Sequence, residues 1–127
     1  MGKNVNFTLL TMLYLFIYIV ASPNSTIDKN ALLAFKAQIT SNPNKILAKN
    51  WSQETPFCNW IWIGITCGKR HQRVRGLNLA NMGLGGIIAK EIDGLSFLRS
   101  LIISENSFYG FFPDEMGNLS QLQEIEM

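Results

Sequence analysis

The chain has 127 residues, 47% of them apolar and 16% charged, and its eleven Lys and Arg against nine Asp and Glu leave a formal net charge of +2. That length fits one small domain, and a balance so close to neutral gives no basic stripe for nucleic acid or for an anionic membrane surface. Two cysteines and one histidine, with neither CxxC nor HExxH spacing, leave too few ligands for zinc.

At the N-terminus, Lys3 precedes an apolar run from Phe7 to Val20, and the small pair Ala21-Ser22 follows. This is the pattern of a cleaved secretory signal. A membrane anchor is the rival, but about 14 apolar residues fall short of the roughly 20 that a spanning helix needs. We expect residues 1–21 to be removed, with Ser22 or Ser25 as alternative cut sites. Losing Lys3 takes the formal charge from +2 to +1. No later run is long enough to cross a bilayer. Met1-Gly2 lacks the hydroxyl residue that myristoylation wants at position 6, which holds Asn6. In an oxidising compartment, the even cysteine count makes a Cys58–Cys67 disulfide the default.

Polar residues 22–30 lead into a helix that Thr26 or Asp28 can cap. Ile27, Ala31, Leu32, Phe35 and Ile39 fall on one face at three- and four-residue spacing. Asn42-Pro43 ends the helix, because Pro43 pushes Asn42 out of helical geometry. A short second helical turn carries Ile46 and Leu47 toward Trp51. Residues 51–67 hold Trp51, Trp60, Trp62, Phe57 and both cysteines. Ile61, Ile63 and Ile65 interleave these aromatics as in a half-buried strand, which favours cap packing over an aromatic ligand platform.

Beyond Arg73 the chain repeats itself at an offset of 24 residues. Val74, Leu77, Leu79, Leu84, Gly86, Ile92, Leu95 and Leu98 recur as Leu98, Leu101, Ile103, Phe108, Gly110, Met116, Leu119 and Leu122, and Ile125 and Met127 open a third copy. Leucines in an L-x-x-L-x-L pattern at a period in the twenties define a leucine-rich-repeat solenoid. The expected fold is an α/β solenoid, with a helical, disulfide-linked cap over 22–73 and coils at 74–97, 98–121 and a partial 122–127. Its strands form a short parallel sheet with leucines facing inward. Gly83, Gly85, Gly86 and Gly110 turn the chain out of the strands. Asn106 should bond backbone groups between coils, whereas the matching Met82 cannot. An open last coil would expose Leu119, Leu122, Ile125 and Met127 and favour association.

Several segments carry a closer resemblance: Asp28-Lys29-Asn30-Ala31-Leu32-Leu33-Ala34-Phe35-Lys36, Asn50-Trp51-Ser52, Phe57-Cys58-Asn59-Trp60, Gly64-Ile65-Thr66-Cys67, and Arg70-His71-Gln72-Arg73-Val74 before Leu77-Asn78-Leu79. Together they resemble the N-terminal cap of plant leucine-rich-repeat receptor-like proteins, most nearly the receptor kinases that sense microbial patterns. Gly110-Phe111-Phe112-Pro113 is similar to the plant-specific L-x-G-x-I-P repeat. There are departures. Eight residues separate the cysteines where the family has six, as if Trp60-Ile61-Trp62-Ile63 held a duplicated pair, and Ala89 replaces a proline. A two-residue insertion would keep strand parity. The family's many further repeats, membrane helix and kinase domain are not in this sequence.

The resemblance implies a non-catalytic extracellular recognition fragment with no cofactor, taking a protein or peptide ligand, with a co-receptor ectodomain as a further partner. A stand-alone secreted inhibitor or receptor decoy, or a decayed gene copy, is the alternative. Residues pointing out of the concave strands would touch a partner: Arg75, Asn78 and Ala80, then Arg99, Ile102 and Ser104. No spacing unites Ser, His71 and carboxylates as a catalytic set, and Gly83-Leu84-Gly85-Gly86 lacks the Lys-Ser/Thr of a phosphate loop. The acidic pairs Glu91/Asp93 and Asp114/Glu115 read as a solvated convex face. N-x-S/T sequons at Asn24, Asn50 and Asn118 agree with secretion.

Overall fold

The computed structural model describes residues 23–127 except Asn59 and Trp60, with side chains from Thr26 onward. The expected secretory signal at 1–21 lies outside the described residues. Among those described, no helix is long and apolar enough to cross a membrane.

Helix α1 spans Pro23–Ala37, with a proline at its first position, where no backbone N–H is needed. Asp28, Ala31, Leu32 and Phe35 form its buried face, spaced i, i+3, i+4 and i+7. This corrects two expectations. Ile27 lies off that face at 47% exposure, and Asp28 sits inside the helix rather than capping it. The helix also stops short of Ile39. Ile39–Ser41 instead forms strand β1, antiparallel to strand β4, which is Gly85–Gly86. These two glycines were expected only to turn the chain. Gly86 sits at φ +142, and a Cβ there would collide with the Gln38 carbonyl oxygen. A bare backbone is what lets β1 come this close.

A 3-10 turn at Pro43–Lys45 leads to helix α2, Ile46–Asn50, which buries Leu47 as its spacing predicts. Trp51 stacks on Trp62 at 5.4 Å between centroids and 13° between planes. Phe35 packs on Trp51 at 6.3 Å and Phe57 meets Trp62 edge-on at 6.1 Å. Both indole N–H groups find acceptors, Trp51 on Ile63 O at 3.0 Å and Trp62 on Thr55 Oγ1 at 2.7 Å. A buried Trp is tolerated on that condition. The expected strand through Ile61 and Ile63 does not form. Ile61–Gly64 is a turn with both isoleucines exposed, and strand β2 covers only Ile65–Cys67. The turn accommodates the spacing between the cysteines, so strand parity is not the reason it is tolerated. Cys58 and Cys67 are disulfide-bonded, with Cα atoms 5.7 Å apart.

Strands β3 (Val74–Asn78), β5 (Ser100–Ile102) and β7 (Glu124–Glu126) form a parallel ladder, and β2 pairs antiparallel with β3 to begin it. Register partners are Gly76, Ser100 and Glu124, each 24 residues from the last. A second sheet orders β1, β4 and β6, the last being Ser107–Phe108. Leu77, Leu79, Leu84, Ile92, Leu95, Leu98, Leu101 and Ile103 are all buried and belong to one core cluster. Short 3-10 segments at Lys90–Gly94 and Asp114–Asn118 close the convex side and carry the two acidic pairs.

Asn106 ties successive coils. Its Oδ1 accepts from Met82 N at 3.1 Å and Leu84 N at 2.9 Å, and its Nδ2 donates to Leu79 O at 2.7 Å and Ile103 O at 3.0 Å. Toward the last strand burial falls away unevenly. Leu119 is buried and Leu122 partly so, while Ile125 and Met127 are 46% and 61% exposed.

Candidate ligand-facing surface

The exposed strand face consists of rows set by the ladder register. One row runs Thr66, Gly76, Ser100, Glu124, and a second runs Asn78, Ile102, Glu126. The intervening row, Ile65, Leu77, Leu101 and Ile125, points the other way, as the two-residue alternation of strands requires. Some of these outward groups already have partners. Ser100 Oγ donates to Glu124 and Ser104 Oγ to Glu126, each at 3.3 Å, and Asn78 Oδ1 accepts from Ala80 N at 3.2 Å. Ala80, Ile102 and Ser104 are half-buried, and Asn78 and Arg99 are exposed. Of the six residues expected to touch a partner, Asn78 and Ile102 stand in an outward row and Ala80 and Ser104 continue it by alternation. Arg75 and Arg99 instead precede the outward pair Gly76 and Ser100 and sit at the margin of the face, where they line a cleft.

That cleft measures about 560 Å³ between the 66–71 loop and the first strands. Lys69, Arg70, Arg73, Arg75 and Arg99 contribute to its lining with His71, Phe97 and Gln121, and none of its lining residues is a carboxylate. A net charge near neutral gave no basic stripe for nucleic acid or an anionic membrane surface, yet cations still gather locally in this cleft, because a sum over the chain says nothing about clustering. The local signal was present in Lys69-Arg70-His71-Gln72-Arg73-Val74-Arg75, four cations in seven residues. Arg99 joins them because it follows Arg75 by 24 positions, and Arg99 N donates to Arg75 O at 2.8 Å.

Arg73 differs from its neighbours. It is 8% exposed and forms a forked pair with the wholly buried Asp28, Nε to Oδ2 at 3.0 Å and Nη2 to Oδ1 at 2.9 Å. The same Oδ2 accepts from Val74 N at 2.7 Å. Asp28 thus fixes the start of β3 against α1 across 45 residues of sequence. The Arg73 guanidinium lies 4.7 Å from the Phe97 ring centroid, and His71 meets the same ring edge-on at 5.4 Å. His71 is exposed. Among the described residues no three His, Cys, Asp or Glu side chains come together as a metal site.

At the sequons, Asn50 Oδ1 accepts from Ile63 N, an arrangement that leaves the amide nitrogen, the glycan-bearing atom, out of that bond. Asn118 and Ser120 are exposed, with Asn118 Nδ2 donating to Asp93 at 3.3 Å. Asn24 falls in the first turn of α1.

A disulfide-bonded cap feeding a parallel ladder of 24-residue period, tied by an asparagine between coils, is a leucine-rich-repeat solenoid. Residues 26–68 match the family described as "Leucine rich repeat N-terminal domain", and the chain is homologous to leucine-rich-repeat receptor-kinase ectodomains. The LRR receptor-like serine/threonine-protein kinase EFR of Arabidopsis thaliana is 41% identical over 112 residues, 88% of this chain and 11% of that protein. Among solved structures, the ectodomain of the Arabidopsis receptor kinase HAESA, in complex with an N-terminally extended IDA peptide hormone, superimposes with a TM-score of 0.66 at 25% identity. That match covers 81% of this chain and 16% of HAESA's. The PEPR1–AtPEP1 complex gives 0.65 at 27% identity, over 76% of this chain and 14% of the other. The chain spans less than a fifth of the length of each of these relatives.

Proposed function

We propose that this chain is a ligand-perceiving, non-catalytic part of an extracellular receptor-like solenoid. In this reading residues 22–73 form the cap, 74–97 and 98–121 form coils, and 122–127 begin the next. The ligand is a peptide or protein carried on the exposed strand face at Arg75, Asn78, Ala80, Arg99, Ile102 and Ser104, with a co-receptor ectodomain as a further partner. Cys58–Cys67 closes the cap, and Asn24, Asn50 and Asn118 carry glycans on a secreted protein. The observation that carries the reading is the ladder itself, whose inward row is buried from Ile65 through Leu77 to Leu101 while its outward rows are polar apart from Gly76 and Ile102. HAESA with its peptide hormone offers a precedent in a homologous fold.

Photo-crosslinking tests this directly. Benzoylphenylalanine at Ile102 or Asn78 of the secreted protein should crosslink to peptides of the extracellular fraction. The same group at Glu91 or Asp114, on the convex side, should not. Equal labelling from both sides, or labelling from the convex side alone, would remove the assignment.

A further inference from the structure

We infer that the basic cleft at the cap-side margin of the strand face binds the carboxylate-bearing end of an acidic peptide, and so sets the direction in which a ligand lies. The inference deepens the ligand-face reading and rests on it for the peptide's course, though not for binding in the cleft itself. Lys69, Arg70, Arg75 and Arg99 converge on one cavity of about 560 Å³. The only ion pair among the described residues is Arg73 with Asp28. Burying that charge against Asp28 neutralises Arg73, so it builds the wall and the other four cations supply the field. Like charges held this close repel one another, and an anion relieves that repulsion.

The backbone sets where two of these side chains start. Arg75 lies across Gly68, where an added Cβ would stand 3.1 Å from Arg75 Cδ, tighter than most such contacts. Arg99 is set one strand further on by the β3–β5 register. Arginine pairs give forked, two-point contacts to carboxylates, which a lysine alone cannot.

Two observations favour a short acidic segment seated in the cleft over an acidic polymer extended along the strand face. Glu124 and Glu126 stand on β7, paired with Ser100 and Ile102 of the neighbouring strand, a step of about 5 Å. A polyanion lying along the face would leave the cations and meet these carboxylates at once. A peptide with an acidic end and a neutral or basic continuation matches both signs. The one aromatic ring in the lining, Phe97, already has Arg73 over its face and His71 against its edge, so it offers little to a stacking sugar.

The test uses the full chain expressed for secretion, with fluorescein-labelled hexaglutamate as probe and anisotropy as readout. Hexaglutamate should bind and hexaglutamine should not, and raising salt from about 50 to about 200 mM should weaken binding several-fold, as screening requires. The double variant Arg75→Gln/Arg99→Gln should lose at least about tenfold in affinity. Lys69→Gln/Arg70→Gln, in the exposed loop, should lose several-fold and guards against misfolding of the first variant. Lys49→Gln/Lys90→Gln removes the same charge at a distance and should stay within about twofold. No hexaglutamate binding, an equal loss in the remote variant, or tighter binding of an oligogalacturonate than of hexaglutamate would each overturn the inference. Crosslinking from Ile102 without hexaglutamate binding would sink the cleft and leave the ligand face standing. Hexaglutamate binding without such crosslinks would do the reverse.

Discussion

Replacing Asp28 by Ala should be among the most damaging single changes outside the apolar core. Asp28 is fully buried and satisfies three donors: two on the Arg73 guanidinium and the backbone N–H of Val74. The variant would leave a guanidinium that is only 8% exposed without its counter-charge. Breaking one side of a buried pair costs about 3–5 kcal/mol. A domain of this size has about 5–15 kcal/mol of total stability, so the loss is a large fraction of it. Urea unfolding followed by Trp51 and Trp62 fluorescence would measure this, since both indoles are buried against each other. Arg73→Met removes the charge together with the need to neutralise it, and Asp28→Ala/Arg73→Met should then cost much less than the two single losses added. A loss under about 1 kcal/mol for Asp28→Ala, or strict additivity in the double variant, would refute the argument that this pair anchors the cap to β3.

Three further outcomes follow from local geometry. Asn106→Ala strips Met82 N and Leu84 N of their acceptor and Leu79 O and Ile103 O of a donor, and should destabilise by about 2–4 kcal/mol in the same urea assay; under 1 would mean water replaces the amide. Glu105 sits at φ 57, where the position 24 residues earlier holds Asn81 at φ 55, so Glu105→Asn should raise stability by about 0.5–1 kcal/mol, and a loss would show that Glu105 is held there by contacts instead. Hydrogen bonds from the Ser52 hydroxyl and then from its own backbone N–H hold the Glu54 carboxyl below the usual glutamate value, with Lys29 and Lys36 adding smaller help. The depressed value means that this contribution is present above the unfolded-state pKa and is lost as pH falls through the folded one. Carbon-detected NMR titration of unglycosylated Ser52→Ala should show Glu54 moving back up, and an unmoved titration would assign the shift elsewhere.

Repetition made part of this fold legible before any coordinates. A leucine that recurs every 24 residues reports its own burial, because each coil solves the same local packing problem as its neighbour. Leu77 with Leu101, Leu79 with Ile103 and the bonding of Asn106 all follow from that period. Helix α1 and the buried Leu47 were readable for a related reason, since amphipathic spacing acts over a few residues. What depended on partners distant in sequence was not readable. Ile39 leaves the helix because Gly85 and Gly86, more than forty residues away, offer β1 a bare backbone edge. Asp28 looked like a cap until Arg73 arrived beside it from the end of the cap segment. The Trp-Ile alternation suggested a strand, but two indoles stacking and finding their own acceptors outweighed the pattern and made a turn. The basic cleft is the clearest case. Its cations were visible one by one in the sequence, yet only the register of β3 on β5 gathers Arg99 to the 69–75 run, because electrostatic potential depends on distance in space and not along the chain.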